Sequence, residues 1–406
     1  MTKKIRLVCF SVNVYNVIAG KTEGFGGAET QMWNVARAFA THGDYDVHLI
    51  TVTDETTRSF DQEGVRVHPI KPAGDLRTFG AFRRKAIILF KGVAIFWKLL
   101  SLKGEVYYTN IASEHVISVW AAAFLRRAPY VYRLAHDWES VPDDLDRNIF
   151  PKRTLTSRLF QFTMKYTDVL VGQTRYQVTQ LKKHFHRDAV QIPNGHNIPD
   201  YAETNSVIRN GVLWIGRSHS MKRPWLVAEL AELLPDVQFQ MLIVDTIEGG
   251  DEYQRIKKAA ARLKNLELLQ PVPATKINSL HRQAQIFLLT SEFEGLPNVV
   301  IEALKNGTPV LSLGHNPDGL FAGEDAVVSR QVVPGFCFPD NLAMAQEVVQ
   351  LLLREKSWRQ ACHECAYATA LSRFSIETTI SVYDRHIKAS LRTSKAPNTG
   401  NEPRGL

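Results

Sequence analysis

The chain has 406 residues, too many for one compact core at ordinary domain sizes of roughly 100–200 residues, so two domains are expected. Hydrophobic residues make up 45% and charged residues 22%, which excludes disorder for most of the length. The net charge of +8 lies wholly in residues 1–200, where 27 Lys/Arg face 19 Asp/Glu; that half is therefore expected to meet an anionic membrane surface or substrate, and nucleic acid is set aside for want of any recognised motif.

Residues 5–12 follow a basic start that has neither a long apolar run nor a small-residue cleavage site, so they read as a buried first strand. A glycine-rich loop spans 20–27. Residues 29–42 then set Met32, Val35, Ala36 and Phe39 on one helical face. Strands are expected at 47–52 and 65–70. The stretch 81–103 predicts a helix with Arg83, Arg84, Lys85, Lys91, Lys98 and Lys103 beside large apolar residues such as Phe90 and Trp97. Such a helix either lies on an anionic membrane or packs on its own domain with its lysines solvated. Short apolar runs at 105–109, 130–134 and 168–171 suit a parallel sheet buried on both faces.

Pro193-Asn194-Gly195 opens a polar stretch, 194–207, that reads as the domain boundary. The alternation then restarts. Strands are expected at 211–215, 239–244, 266–269, 286–290 and 309–313, with helices at 224–234, 276–283 and 298–305. The fold class is therefore α/β, with two Rossmann-like doubly wound parallel-sheet domains. No apolar run reaches the ~18 residues of a membrane-spanning helix, and the chain is expected in the cytoplasm. Cys9, Cys337, Cys362 and Cys365 are too few and too scattered for a disulfide framework; Cys362 and Cys365 read as two thiols on one helix face, with metal or redox work as the alternative.

Ligands of doubly wound sheets bind beyond the carboxyl ends of the strands, and the candidate groups all follow strands. After 286–290 come Glu294, Gly295, Leu296, Pro297 and Asn298, which lead into a helix holding Glu302 about one turn inside. The glycine permits close backbone approach, the free amides at the helix start can donate, and both carboxylates can accept from hydroxyls of one extended ligand. The alternative is a loop charge and an exposed helix residue. Gly216 and Arg217 close the strand 211–215, with Lys222 further on; the two cations can converge on a diphosphate or remain solvated. Gly26 and Gly27, before Glu29, offer a helix N-terminus to phosphate or form a simple turn. His136 and Asp137 follow 130–134 and would face a cleft to position a hydroxyl or a sugar; a structural histidine is the alternative. Asp144 and Asp146, beside Asp143, match a D-x-D metal pattern, but in a Pro-containing loop with no strand before it.

Together these pieces resemble the retaining glycosyltransferases of family 4, the glycosyl transferases of group 1, which have the GT-B fold. The resemblance rests on Glu294-Gly295-Leu296-Pro297 through Glu302-Ala303, on Asn306-Gly307-Thr308-Pro309-Val310, on Gly216-Arg217 with Lys222, on Gly26-Gly27-Ala28-Glu29 and on Ile192-Pro193-Asn194-Gly195. It implies an acceptor-binding domain at 1–195, a nucleotide-sugar-binding domain at 196–375 and a helix at 376–392 crossing back to the first domain. The tail 393–406, polar and rich in Pro, Gly and Asn, is expected to be disordered. The resemblance assigns Glu302 to the ribose hydroxyls and Glu294, with the loop behind it, to the donor sugar. It gives Arg217 and Lys222 the diphosphate and His136 the reacting sugar. Arg223 departs from the pattern, since a glycine commonly follows that lysine.

The implied reaction is hexosyl transfer from a nucleoside-diphosphate sugar to a glycan or lipid-linked acceptor, with retention and on the leaving-group face. It needs no metal and no cofactor beyond the nucleotide-sugar co-substrate. Polysaccharide biosynthesis at the inner face of a membrane suits it. A sugar-nucleotide epimerase, a phosphorylase on the same architecture, or a non-catalytic nucleotide-sugar-binding protein are the rival readings.

Overall fold

The computed structural model describes residues 3–21, 26–72, 81–110, 112–113, 115–143, 155–205, 207–245, 250–270 and 272–395. They form two compact units. The first takes residues up to 18, 28–192 and those from 379 onward; the second takes 19–27 and 193–378. The sequence pattern put the boundary at 195/196, and the first change of unit beyond the opening loop comes at 192/193.

The first unit is built on β1 (Ile5–Phe10), β2 (Tyr45–Val52), β3 (Phe60–Gln62), β4 (Val65–Ile70), β5 (Val106–Asn110), β6 (Tyr130–Arg133), β7 (Val169–Gly172) and β8 (Val190–Gln191). Their order is β3-β4-β2-β1-β5-β6-β7-β8, and every pairing is parallel except β3–β4. β5 is buried along its whole length, as a central parallel strand covered on both faces must be. On one face the helix Gly27–His42 meets the C-terminal helix Ile376–Lys395: Phe39 touches Tyr45 at 4.7 Å and Tyr383 at 6.1 Å between ring centres. On the other face Ile95, Leu99, Val119, Phe160 and Met164 pack against Val8, Tyr107 and Tyr132. The short β3 has no alternation to read; it forms because Glu63 and Gly64, with φ of 47° and 80°, make the two-residue turn that suits a hairpin. The C-terminal helix runs on through Thr393 to Lys395, past the expected end, and 396–406 lie outside the described residues.

The second unit holds β9 (Val212–Arg217), β10 (Phe239–Val244), β11 (Leu266–Leu268), β12 (Ile286–Leu289), β13 (Val310–Ser312) and β14 (Gly335–Cys337), all parallel, in the order β11-β10-β9-β12-β13-β14. Numbered within the unit this is 3-2-1-4-5-6, the dinucleotide-binding order, and it reverses between β9 and β12. Both faces are covered: Leu230, Met241, Leu288, Phe336 and Trp358 share one core, and Phe287, Val300, Leu304, Ala366 and Phe374 the other. Cys362 is buried and Cys365 half-buried in the helix Lys356–Phe374, and all four cysteines are free. Among the described residues no helix is long and apolar enough to cross a membrane.

Candidate active site

The reversal point of the second sheet lies where β9 and β12 end side by side, and their following loops supply the predicted residues. The 3-10 turn Ser220–Lys222 follows β9; the segment 290–297 follows β12 and leads into the helix Asn298–Lys305, capped by Pro297. The Lys222 ammonium is paired with the Glu294 carboxylate, and the Ser291 hydroxyl donates to the same carboxylate oxygen at 2.7 Å. Behind them the Trp214 indole donates to Thr290 Oγ1 at 2.9 Å, and Thr290 Oγ1 donates to the Lys222 carbonyl. A side chain at Gly216 would press its Cβ to 2.6 Å from the Trp214 ring, so the strand end stays narrow beside this stack. Arg217 closes β9 with its side chain exposed and no hydrogen-bond partner among the described residues. The structure therefore joins Lys222 to Glu294, and the Arg217 guanidinium is exposed.

Arg223, the departure from the family pattern, adopts φ 47°, ψ 53°, the left-handed conformation that a glycine takes readily. Its guanidinium offsets the strain. Nε donates to the Thr290 carbonyl at 2.7 Å, Nη2 to the Leu313 carbonyl at 2.6 Å, and Nη1 pairs with Asp340. The turn geometry is kept, and the ends of β12 and β13 are tied to it.

His315, in the loop after β13, was not singled out in the sequence. Its Nε2 donates to the Gly295 carbonyl at 2.9 Å, its backbone amide donates to the Ser291 carbonyl at 2.9 Å, and its ring meets Phe293 edge to face. Burial lowers its pKa, so the ring is neutral and presents Nδ1 as an acceptor. Its position beyond a strand end was the available signal.

Asn298 begins its helix with its side chain engaged: Oδ1 accepts from Asn194 Nδ2 at 2.9 Å and from His196 Nε2 at 3.2 Å, and Nδ2 donates to the Gly27 carbonyl at 3.0 Å. Asn194 Nδ2 also donates to the Leu296 carbonyl at 3.0 Å. The boundary residues thus hold the Gly295-Leu296-Pro297 loop in place. A Cβ on Gly27 would lie 2.7 Å from Asn298 Nδ2, which explains that glycine; Gly26 precedes it in the same segment, while Gly24 and Phe25 lie outside the described residues.

Glu302 lies one turn into the helix with 23% of its side chain exposed, and burial raises its carboxyl pKa against a lowering by Lys305. His281, wholly buried, places Nε2 at 3.9 Å from Glu302 Oε2, and neither of its ring nitrogens has a hydrogen-bond partner among the described residues. Burial, with Lys305 nearby, lowers the His281 pKa to about 3, so it is a neutral imidazole beside the carboxylate.

His136 belongs to the first unit and is exposed just beyond β6, its ring stacked on Trp138 at 5.0 Å. It starts a 3-10 turn, and Glu139 Oε1 accepts from the His136 amide at 2.9 Å. Asp137, expected to face a cleft, is instead buried and accepts from Gln177 Nε2 at 2.8 Å, so it holds the turn in place. Asp144 and Asp146 of the D-x-D pattern lie outside the described residues. Among the described residues one group, His42, Asp44 and Asp384, has ligand spacing for a metal. There Lys388 Nζ already bridges Asp44 at 2.8 Å and Asp384 at 2.9 Å, so a lysine cation occupies the place of an ion.

Comparison with known proteins agrees with this architecture. The family model for glycosyl transferases group 1 matches 205–369, and the model for a glycosyl transferase 4-like domain matches 26–195. The chain belongs to the group 1 glycosyltransferases.

An uncharacterized glycosyltransferase of Haemophilus influenzae is 24% identical over 81% of this chain and 87% of its own. The amylovoran biosynthesis glycosyltransferase AmsD of Erwinia amylovora is 25% identical over 45% of this chain and 56% of its own. Among solved structures, sucrose-phosphate synthase from Thermosynechococcus elongatus superposes with a TM-score of 0.71 at 15% identity, covering 95% of this chain and 100% of that one. Anabaena HepE, solved with UDP and glucose, gives 0.66 at 15% identity over 95% of this chain and 100% of its own. These likenesses establish the GT-B fold of this group 1 glycosyltransferase.

Proposed function

We propose that this glycosyltransferase moves a hexosyl unit from a nucleoside-diphosphate sugar to a glycan or lipid-linked acceptor, with retention at the anomeric carbon, in polysaccharide biosynthesis. The observation that carries the reading is the pairing of Lys222 with Glu294 at the reversal point of the second sheet, with Glu302 one turn beyond. Anabaena HepE, bound to UDP and glucose, AmsD, an amylovoran biosynthesis glycosyltransferase, and the Vi polysaccharide biosynthesis protein VipC/TviE of Salmonella typhi support the donor class and the setting.

In this reading Glu302 accepts from the ribose hydroxyls. Glu294 and the amides of the loop after it hold the sugar hydroxyls. Arg217 and Lys222 neutralise the diphosphate as it leaves, which supplies much of the rate enhancement because their charge is already in place. Those cations make a metal unnecessary. In this reading no carboxylate among the described residues serves as a covalent nucleophile, and the acceptor hydroxyl attacks on the face the diphosphate leaves, with its proton passing to the leaving oxygen. His136 meets the reacting sugar. The enzyme works in the cytoplasm, at the inner face of the membrane that presents its acceptor.

A thermal-shift screen against nucleotide sugars tests the donor: one nucleotide sugar should raise the melting temperature selectively. Incubating that donor with oligosaccharide and lipid-linked acceptors, and reading the anomeric proton of the product, tests retention. An inverted product, or donor turnover to an epimer without acceptor, would overturn the reading.

A further inference from the structure

The first unit has a surface that its own core does not use. The helices Ala81–Ser101, Val116–Arg126 and Leu155–Tyr166 lie side by side on one face of the sheet, with Val116–Arg126 in contact with both others. Each buries an apolar stripe, including Ile95, Leu99, Val119 and Phe160. Each also turns large apolar groups outward. Phe90 is 75% exposed and Trp97 63%, with the exposed Val93 between them at helical spacing; Leu125 is 62% exposed, Phe124 50% and Leu155 73%. Trp120, stacked on Phe124 at 5.3 Å and edge-on to Phe162 at 5.1 Å, links two of the helices through aromatic rings. A helix packed only on its own domain would be polar at these positions.

The charge on these helices points one way. None of the three carries an Asp or a Glu, and the first alone carries Arg83, Arg84, Lys85, Lys91 and Lys98. Arg126 and Arg158 are exposed beside Leu125 and one turn from Leu155. A soluble face of this size ordinarily mixes both signs. Exposed Arg126 and Arg158 with outward Phe, Trp and Leu match one kind of partner: anionic headgroups take the cations while the aromatic and aliphatic groups enter the boundary with the acyl chains. A phosphate backbone would draw the cations but leave the apolar groups without a function.

We propose that these three helices form a docking surface for an anionic lipid bilayer. The inference deepens the membrane-presented acceptor suggested above but rests on its own observations. The protein sits on the bilayer through Phe90, Trp97, Phe124, Leu125 and Leu155, with no helix spanning it.

The test uses the full chain and two kinds of vesicle, phosphatidylcholine alone and phosphatidylcholine with phosphatidylglycerol. Co-sedimentation is expected with the anionic vesicles only and should weaken as salt rises. Phe90→Ser/Trp97→Ser/Leu125→Ser should reduce partitioning at least ~tenfold, and Arg126→Glu/Arg158→Glu about as much at low salt. Brominated acyl chains should quench the wild-type tryptophan fluorescence more than that of Trp97→Phe. Absence of binding at low salt, binding by either multiple variant undiminished from wild type, or a wild-type dimer that the apolar variant breaks without any vesicle binding would each overturn the proposal. So would duplex DNA binding that the apolar variant leaves intact while vesicles are ignored. The nucleotide-sugar thermal shift should be the same in all variants, so loss of docking and failure of the donor reading are separately visible.

Discussion

The Lys222 ammonium and the Glu294 carboxylate are paired, joining the turn after β9 to the loop after β12. Ser291 fixes the same carboxylate oxygen, so the two charges are positioned before a donor arrives. A partly exposed pair of this kind contributes only about 1 kcal/mol to stability. Under the proposed function its larger consequence is for catalysis. Lys222→Ala should lower kcat/KM about 10²–10³-fold, the usual range for losing a preorganised group on developing charge, while shifting the melting temperature little. Steady-state kinetics beside a thermal melt separates the two effects; a large stability loss with kcat preserved would contradict the assignment.

Glu302 and His281 make a second pair, 3.9 Å apart, with the imidazole neutral and its nitrogens without hydrogen-bond partners among the described residues. If Glu302 holds the ribose as proposed, Glu302→Ala should weaken nucleotide binding about 10–100-fold through loss of charged hydrogen bonds. His281→Phe keeps the volume and removes the polar ring, so it should leave stability within about 1.5 kcal/mol of wild type. Calorimetric titration with nucleoside diphosphates checks the first, and urea unfolding the second. An unchanged dissociation constant in Glu302→Ala would remove Glu302 from the donor site.

Arg223 holds a left-handed backbone and three partners at once. Arg223→Gly relieves the backbone but loses the guanidinium bonds; Arg223→Ala loses the bonds and keeps the strain. Both should destabilise the fold, and alanine should be the worse by about 1 kcal/mol. Chemical denaturation of the three proteins gives the order directly, and a glycine variant no more stable than the alanine variant would show that the strain argument is wrong.

Three buried histidines of the second unit, His196, His281 and His363, have pKa values lowered from 6.5 to about 3, with burial the leading cause in each. The sign follows from proton uptake. Between pH 6.5 and about 3 the unfolded chain binds protons at these sites and the folded chain does not, so stability falls as pH is lowered. Together they should remove roughly 4 kcal/mol per pH unit once pH is well below 6.5. Glu139 of the first unit acts the other way: burial raises it from 4.5 to about 7, so its contribution declines as pH rises through that range. Unfolding followed from pH 7 to pH 4 should show uptake approaching three protons per molecule from these histidines, and His363→Phe should reduce it by about one.

The alternation of apolar runs and helical stripes was enough to read two doubly wound domains, because parallel strands buried on both faces leave continuous apolar runs and their covering helices leave a 3.6-residue period. The chain-local parts of the candidate site were legible in position for the same reason: Glu294, Glu302, Gly216 and Lys222 stand at strand ends and helix starts, and spacing along the chain is preserved in the fold. The order 3-2-1-4-5-6, which brings the end of β9 beside that of β12, was not legible, since pairing between segments about 70 residues apart leaves no local pattern. Nor were β3, β8 and β14, of two or three residues each. Asp137 shared His136's strand-end position, yet its carboxylate turned inward to Gln177. The partners of Arg223, His315 and Asn298 come from separate strand ends and from the boundary segment. The sequence by itself determined which residues lie at the ends of strands. Only the tertiary structure decided which ends are neighbours and which way their side chains turn, because those are set by long-range packing rather than by the local period of the chain.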